Sequence, residues 1–94
     1  MPYLLVRHKV AEYAKWKPLF DQHAQTRKKS GSQGSQLFRN DNDPNELLIL
    51  FAWDDLNKAS QFAESNDLRE VMQKAGVIDQ PDVYFLEALE EMPV

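Results

Sequence analysis

A single α+β domain of order β-α-β-β-α-β, spanning residues 1–94, follows from three features of this chain. Apolar side chains recur at spacings of three and four between residues 12 and 29, the pattern of an amphipathic helix. The cluster Asn40-Asp41-Asn42-Asp43-Pro44-Asn45 divides two strand-like runs and reads as a turn. Those runs are apolar at consecutive positions, so both faces of the sheet ask for cover.

Taken in order, residues 3–8 form the first strand, whose core Leu4-Leu5-Val6 suits a central place in a sheet. Residues 12–29 form a helix with Tyr13, Trp16, Phe20, Ala24 and Arg27 on one stripe. Pro18 has no N–H and clashes with the turn before it, so it should kink this helix or start a new one. Gly31 is a natural stop, and Arg27-Lys28-Lys29 reads as a solvated helix end favourable to the dipole. Residues 33–40 and 46–53 make a hairpin across the turn at 40–45. Asp54 and Asp55 offer N-caps for a helix over 56–64, and Asp67 with Glu70 makes a capping-box pattern for a second segment running to Ala75 and stopping at Gly76. The two segments should break near Ser65-Asn66. Residues 83–89 make the last strand.

This order is that of a ferredoxin-like split β-α-β unit: a four-stranded antiparallel sheet, order 4-1-3-2, with the helices on one face. On the third strand Leu47, Ile49, Phe51 and Trp53 share one face while Leu48, Leu50 and Ala52 share the other. Helices cover one side only. Four strands about 20 Å long and ~4.8 Å apart leave roughly 400 Å² in projection on the other. That reaches the largest apolar patch a monomer ordinarily exposes, so a homodimer packing open sheet face on open sheet face is expected.

Composition narrows the function. With 43% apolar and 28% charged residues the chain belongs with globular domains, and at 94 residues its one core is modestly stable alone. It has no cysteine, hence no disulfide, thiolate nucleophile or thiolate-bound metal, and a reducing cytoplasm is the expected location. The opening apolar run soon meets Arg7, His8 and Lys9, unlike a signal peptide, and no segment approaches membrane-spanning length. A net charge of −4 argues against general nucleic-acid binding. Two isolated histidines without a helical pair make no recognisable metal set, the acidic turn lacks a calcium loop's glycine, and phosphate loops are absent. No metal and no cofactor are expected.

The residues also resemble a known family. Val6-Arg7-His8-Lys9-Val10, Trp16-Lys17-Pro18-Leu19-Phe20-Asp21-Gln22-His23, Gly34-Ser35-Gln36-Leu37-Phe38-Arg39-Asn40, Asp43-Pro44-Asn45-Glu46, Phe51-Ala52-Trp53-Asp54-Asp55, Met72-Gln73-Lys74-Ala75-Gly76-Val77 and Pro81-Asp82-Val83-Tyr84-Phe85-Leu86 span nearly the whole chain. They are similar to the dimeric α+β barrel superfamily, in particular the small proteins related to antibiotic biosynthesis monooxygenases. The resemblance implies a homodimer whose sheets form a barrel, with a pocket in each subunit between helices and sheet. Some members oxidise aromatic polyketides or quinols with oxygen and neither flavin nor metal, some degrade haem, and many have no assigned activity. The Asn, Trp and His set of the haem-degrading members has no residue-by-residue match here, and fold alone does not choose among activities.

His8 and His23 are the candidate proton acceptors, because imidazole titrates near neutrality, with an ordinary pKa of ~6.5. The alternative for His23 is a boundary histidine hydrogen-bonded to backbone or water, and for His8 a strand-end residue at the dimer rim. Arg39 and Asn40 could donate to an enolate or quinol oxygen, though alternation puts them on opposite faces and either suits the turn. Tyr13, Trp16, Phe38, Trp53, Phe62 and Tyr84 could wall a flat ligand and are equally good as ordinary core. The function expected is binding of a small apolar or aromatic ligand by a dimeric α+β barrel, with cofactor-independent monooxygenation of an aromatic or polyketide-like substrate as its reaction. The competing expectation is a non-catalytic ligand-binding or stress-related homodimer.

Overall fold

Described over residues 2–94 by a computed structural model, the chain runs β1 (Pro2–Lys9), α1 (Tyr13–Gln22), α2 (Ala24–Ser30), β2 (Ser32–Asn40), β3 (Asp43–Trp53), α3 (Leu56–Ala63), α4 (Asn66–Lys74) and β4 (Asp82–Glu87). The strands form one antiparallel sheet in the order β2-β3-β1-β4, the expected 4-1-3-2 order counted from the opposite edge. Among the described residues no helix is long and apolar enough to cross a membrane.

Register decides what each face carries, because residues directly opposite in an antiparallel pair share a face. Leu4, Val6 and His8 lie opposite Phe51, Ile49 and Leu47, and all six are buried beneath the helices. The intervening Tyr3, Leu5, Leu48, Leu50 and Ala52 point to the side without helices and are partly exposed. Phe38 (45% exposed), Tyr84 (52%) and Leu86 (39%) extend this second apolar face to both edges. At one end it is bounded by polar groups: Arg7 Nε–Glu46 at 2.8 Å, Arg7 Nη1–Asp79 at 3.0 Å and Arg7 Nη1–Asp82 at 3.3 Å, with Asn40 donating to Glu46 at 2.6 Å. Asp79 also accepts the Lys9 N–H at 2.8 Å, so this network ties the loop before β4 to the end of β1.

Four local expectations need correction. The first helix is interrupted at His23 and not at Pro18, which occupies the sixth position of α1. Pro18 removes one N–H from the ladder, yet the helix continues past it. At His23 the backbone reaches φ −79°, ψ −3°, which turns the chain into α2 while its N–H still bonds Leu19 and its carbonyl accepts from Arg27. The turn is narrower than residues 40–45: Asp41 and Asn42 alone lie between the strands, and Asp43 and Pro44 already belong to β3. Pro44 is tolerated because β1 pairs only from Glu46 onward, so no N–H is demanded of it there. The cap of α4 is Ser65, whose Oγ accepts from Leu68 N–H at 3.2 Å, leaving Asp67 inside the first turn where its charge favours the dipole. β4 ends at Glu87, before Ala88 and Leu89.

Asp55 caps α3 as expected, accepting from Asn57 and Lys58 at 2.7 and 3.2 Å. Gly31 ends α2 at φ +119°, and a Cβ there would lie 2.6 Å from Asp54 Oδ1. Only glycine allows that left-handed stop with β3's end so close, and the Asp54 N–H bonds its carbonyl.

Candidate functional site

Between the helices and the sheet lies a cavity of about 270 Å³, at the small end of the range for ligand sites. Leu4, Val6 and His8 of β1 with Ile49 and Phe51 of β3 make its floor. Trp16, Phe20, His23 and Arg27 follow the inner stripe of α1 and α2 across its roof, and Phe62, Leu68 and Met72 close the far side. Its mouth lies between α4 and the loop before β4, where Arg69, Gln80 and Val83 are exposed.

The two histidines sit in this wall under different constraints. His8 is 3% exposed, its Nδ1 is sealed and has no hydrogen-bond partner, and its ring lies 5.7 Å from that of Trp16. Burial pushes its pKa below the ordinary imidazole value, Asp79 opposes that and Arg7 adds to it, so His8 is neutral at pH 7. Among the described residues no group fixes its tautomer. His23, also buried, places Nε2 2.8 Å from Asp67 Oδ2 and its ring 5.8 Å from Phe62. A carboxylate so placed orients an imidazole.

His8's burial gives stability a pH signature. Its folded pKa lies below its unfolded value of about 6.5, so between the two the unfolded chain binds more protons and stability rises with pH. The contribution is complete above about pH 6.5 and is lost as pH falls through the depressed pKa. Glu46, held low by Asn40 and by Arg7, loses its contribution only in the carboxylate range, below about pH 4. Thermal unfolding between about pH 2 and 8 should therefore show Tm falling in an upper and a lower step, and His8→Leu should remove the upper one alone. An unchanged upper step in the variant would assign it elsewhere.

The cavity brings together four of the ten residues singled out in the sequence: His8, His23, Trp16 and Phe62. The other six lie outside it. Trp53 is fully buried behind the wall, its ring 5.2 Å from Phe62 and its Nε1 without a partner. Tyr13 packs on Trp16 but turns its ring toward Arg39, whose guanidinium carbon is 4.4 Å from the ring centroid. Arg39 is thus on the helix side of the sheet and Asn40 on the open side, bonded to Glu46, while Phe38 and Tyr84 belong to the open face. Conversely, Phe20, Phe51 and Arg27 enter the wall without having been singled out. The available signal was Arg27's place on the apolar stripe, four residues after His23 and seven after Phe20.

Among the described residues no three His, Asp or Glu side chains gather as a metal site would require. No family model matches the chain, and no curated protein matches it. Solved structures do. SnoaB, a cofactor-independent oxygenase from Streptomyces nogalater, superposes with TM-score 0.78 over 99% of this chain and 97% of its own at 14% identity. An antibiotic biosynthesis monooxygenase gives 0.71 over 96% and 100%, also at 14% identity. Rv0793 from Mycobacterium tuberculosis gives 0.69 over 97% and 98%, again at 14%. At such identities the likeness shows the fold, which is the architecture these proteins share.

Proposed function

We propose that the cavity binds a flat aromatic molecule and that the chain is a cofactor-independent monooxygenase, with His8 as the proton acceptor. The observation that carries this reading is a neutral, unpartnered imidazole in the floor of an aromatic-walled cavity. A neutral imidazole can accept a proton from a phenol or an activated C–H, whereas a protonated one cannot. The resulting carbanion is rich enough in electrons to reduce oxygen directly. One oxygen atom becomes the product carbonyl, and the other leaves as water with the two hydrogens of the oxidised carbon. The stacked rings of Trp16 and Phe20, with centroids 4.7 Å apart, would hold the substrate plane. His23, braced by Asp67, is the second candidate base. The described oxygenase of the same fold supports the reaction type.

The working unit under this reading is a homodimer formed through the open sheet face, and the cysteine-free chain suits a reducing cytoplasm. Oxygen uptake measured with hydroxylated naphthalenes and anthrones, with chelator present and flavin absent, should exceed the buffer rate and consume one oxygen per carbonyl formed. If these compounds bind but no oxygen is taken up, the chain is a ligand-binding protein without this reaction.

A further inference from the structure

Arg27 groups in sequence with Lys28 and Lys29, yet its side chain leaves them. It is 8% exposed and lines the cavity, and its guanidinium carbon sits 3.9 Å from the centroid of Phe20 and 5.8 Å from that of Phe51. One N–H donates to the Phe20 carbonyl at 2.7 Å. No carboxylate among the described residues forms an ion pair with it; Asp21, whose charge reaches it, is engaged by Lys17 at 2.6 Å. Stacking on Phe20 offsets part of the cost of burying a cation, but an unpaired guanidinium in such a place remains expensive.

The charged residues of the wall carry the same sign. They are Arg27 and Arg69, and no aspartate or glutamate is among the lining residues, although the chain has 15 acidic residues against 11 basic ones; Asp67 stands just outside the lining, bonded to His23. His8, Trp16, Phe20 and Arg27 moreover form a continuous series, each in contact distance of the next. One end of the series is a neutral base and the other a fixed cation. A ligand lying along these rings meets both.

We propose that Arg27 makes this cavity a receptor for aromatic anions: flat rings bearing a carboxylate or an ionised hydroxyl that pairs with the guanidinium. This rests on the reading of the cavity as the ligand site and adds the substrate's charge to it. Arg27 is then a specificity residue, and its charge-assisted hydrogen bonds should separate an anion from its neutral isostere by roughly tenfold to a hundredfold.

The test compares 2-naphthoate with 2-naphthamide, equal in shape and different in charge, by calorimetry at pH 7, with a nitrated naphthol ionised at pH 8 as the phenolate arm. The unmodified chain should bind at least one anion tenfold or more tighter than the amide, and which anion wins identifies the charged group. Arg27→Met should bring the acid-to-amide ratio near one while amide affinity stays within about threefold, and Arg27→Lys should restore part of the ratio. Binding of both anions within tenfold of the amide by the unmodified chain overturns the proposal and leaves the cavity as a ligand site. So does a ratio that Arg27→Met leaves intact. Absence of binding by all three compounds overturns the cavity reading itself and this proposal with it. If Arg27→Met does not fold, the acid-to-amide comparison on the unmodified chain decides alone.

Discussion

Leu50→Glu is expected to convert the proposed open-face dimer to a monomer in sedimentation, at concentrations where the unmodified chain associates. Leu50 occupies the middle of the open face: β3 is an inner strand, and Leu50 lies opposite Leu5 on one side and Gln36 on the other. Across the sheet the same face carries Tyr3, Leu48, Ala52, Phe38, Tyr84 and Leu86, with the Arg7 network as a polar rim at one end. An apolar centre with a polar edge is the anatomy of an interface. The projected sheet is smaller than the roughly 800 Å² per partner of a typical stable complex. The remainder can come from β4, whose six residues are exposed on both faces, and from Leu89 and Met92 beyond it. A twofold contact would bury the new carboxylate twice, with no cation nearer than the rim. At a few kcal/mol for each unpaired buried charge, Kd should rise by about 10³ or more. Lys28→Glu, on an exposed helix surface, is the matched control and should leave the dimer intact. Unfolding of Leu50→Glu should remain cooperative, because the position is only half-buried within one subunit. A monomeric unmodified chain at high concentration, or a dimeric Leu50→Glu variant, would remove the interface from the proposed functional unit.

The same strand periodicity explains how much could be read in advance. Alternation along residues 46–53 specified which side chains share a face, and every residue of β3 from Leu47 onward lies where that parity puts it. Element order followed from turn chemistry, since Gly31, the 40–45 cluster, Asp55 and Gly76 all punctuate the chain locally. What parity does not contain is where along a face the helices stand off and leave space. Trp16 and Trp53 are both aromatic and both buried, yet one lines the cavity and the other lies behind it, a difference set by the meeting of α1, α3 and β3. Phe38 and Tyr84 were grouped with them by residue type, although alternation put Phe38 opposite Leu48 and Tyr84 opposite Leu5, on the far side of the sheet. Arg27 was legible in position and hidden in meaning. Its spacing belonged to the stripe, while Lys28 and Lys29 made it look like the end of a charged run. The break at His23 was not legible either, because it depends on a single ψ near zero for which the neighbouring sequence carries no glycine or proline signal.

His8→Gln should reduce kcat/KM by 10² to 10⁴ on any substrate that the chain oxidises, the usual worth of a positioned general base, or about 3 to 5 kcal/mol of transition-state stabilisation. Glutamine keeps much of the ring's bulk and a hydrogen-bonding end but cannot take a proton. The competing assignment gives the proton to His23, and the two predict different pH profiles. With His8 as base, kcat/KM rises with pH through an apparent pKa below 6.5, because burial disfavours the imidazolium, and the residual rate of His8→Gln loses that limb. His23→Gln should keep the limb and alter mainly KM, since His23 lines the roof while its Nε2 is committed to Asp67. Asp67→Asn then separates support from chemistry: an orienting carboxylate matters greatly to a catalytic His23 and little to one that only shapes the wall. Should His23→Gln and Asp67→Asn both cost 10² or more while His8→Gln retains the pH limb, the base is on α1's end and the neutral imidazole of β1 only packs. The decisive physical difference is solvation. His8 is 3% exposed and its Nδ1 is sealed, so a substrate hydroxyl in the cavity would have to hand its proton to Nε2.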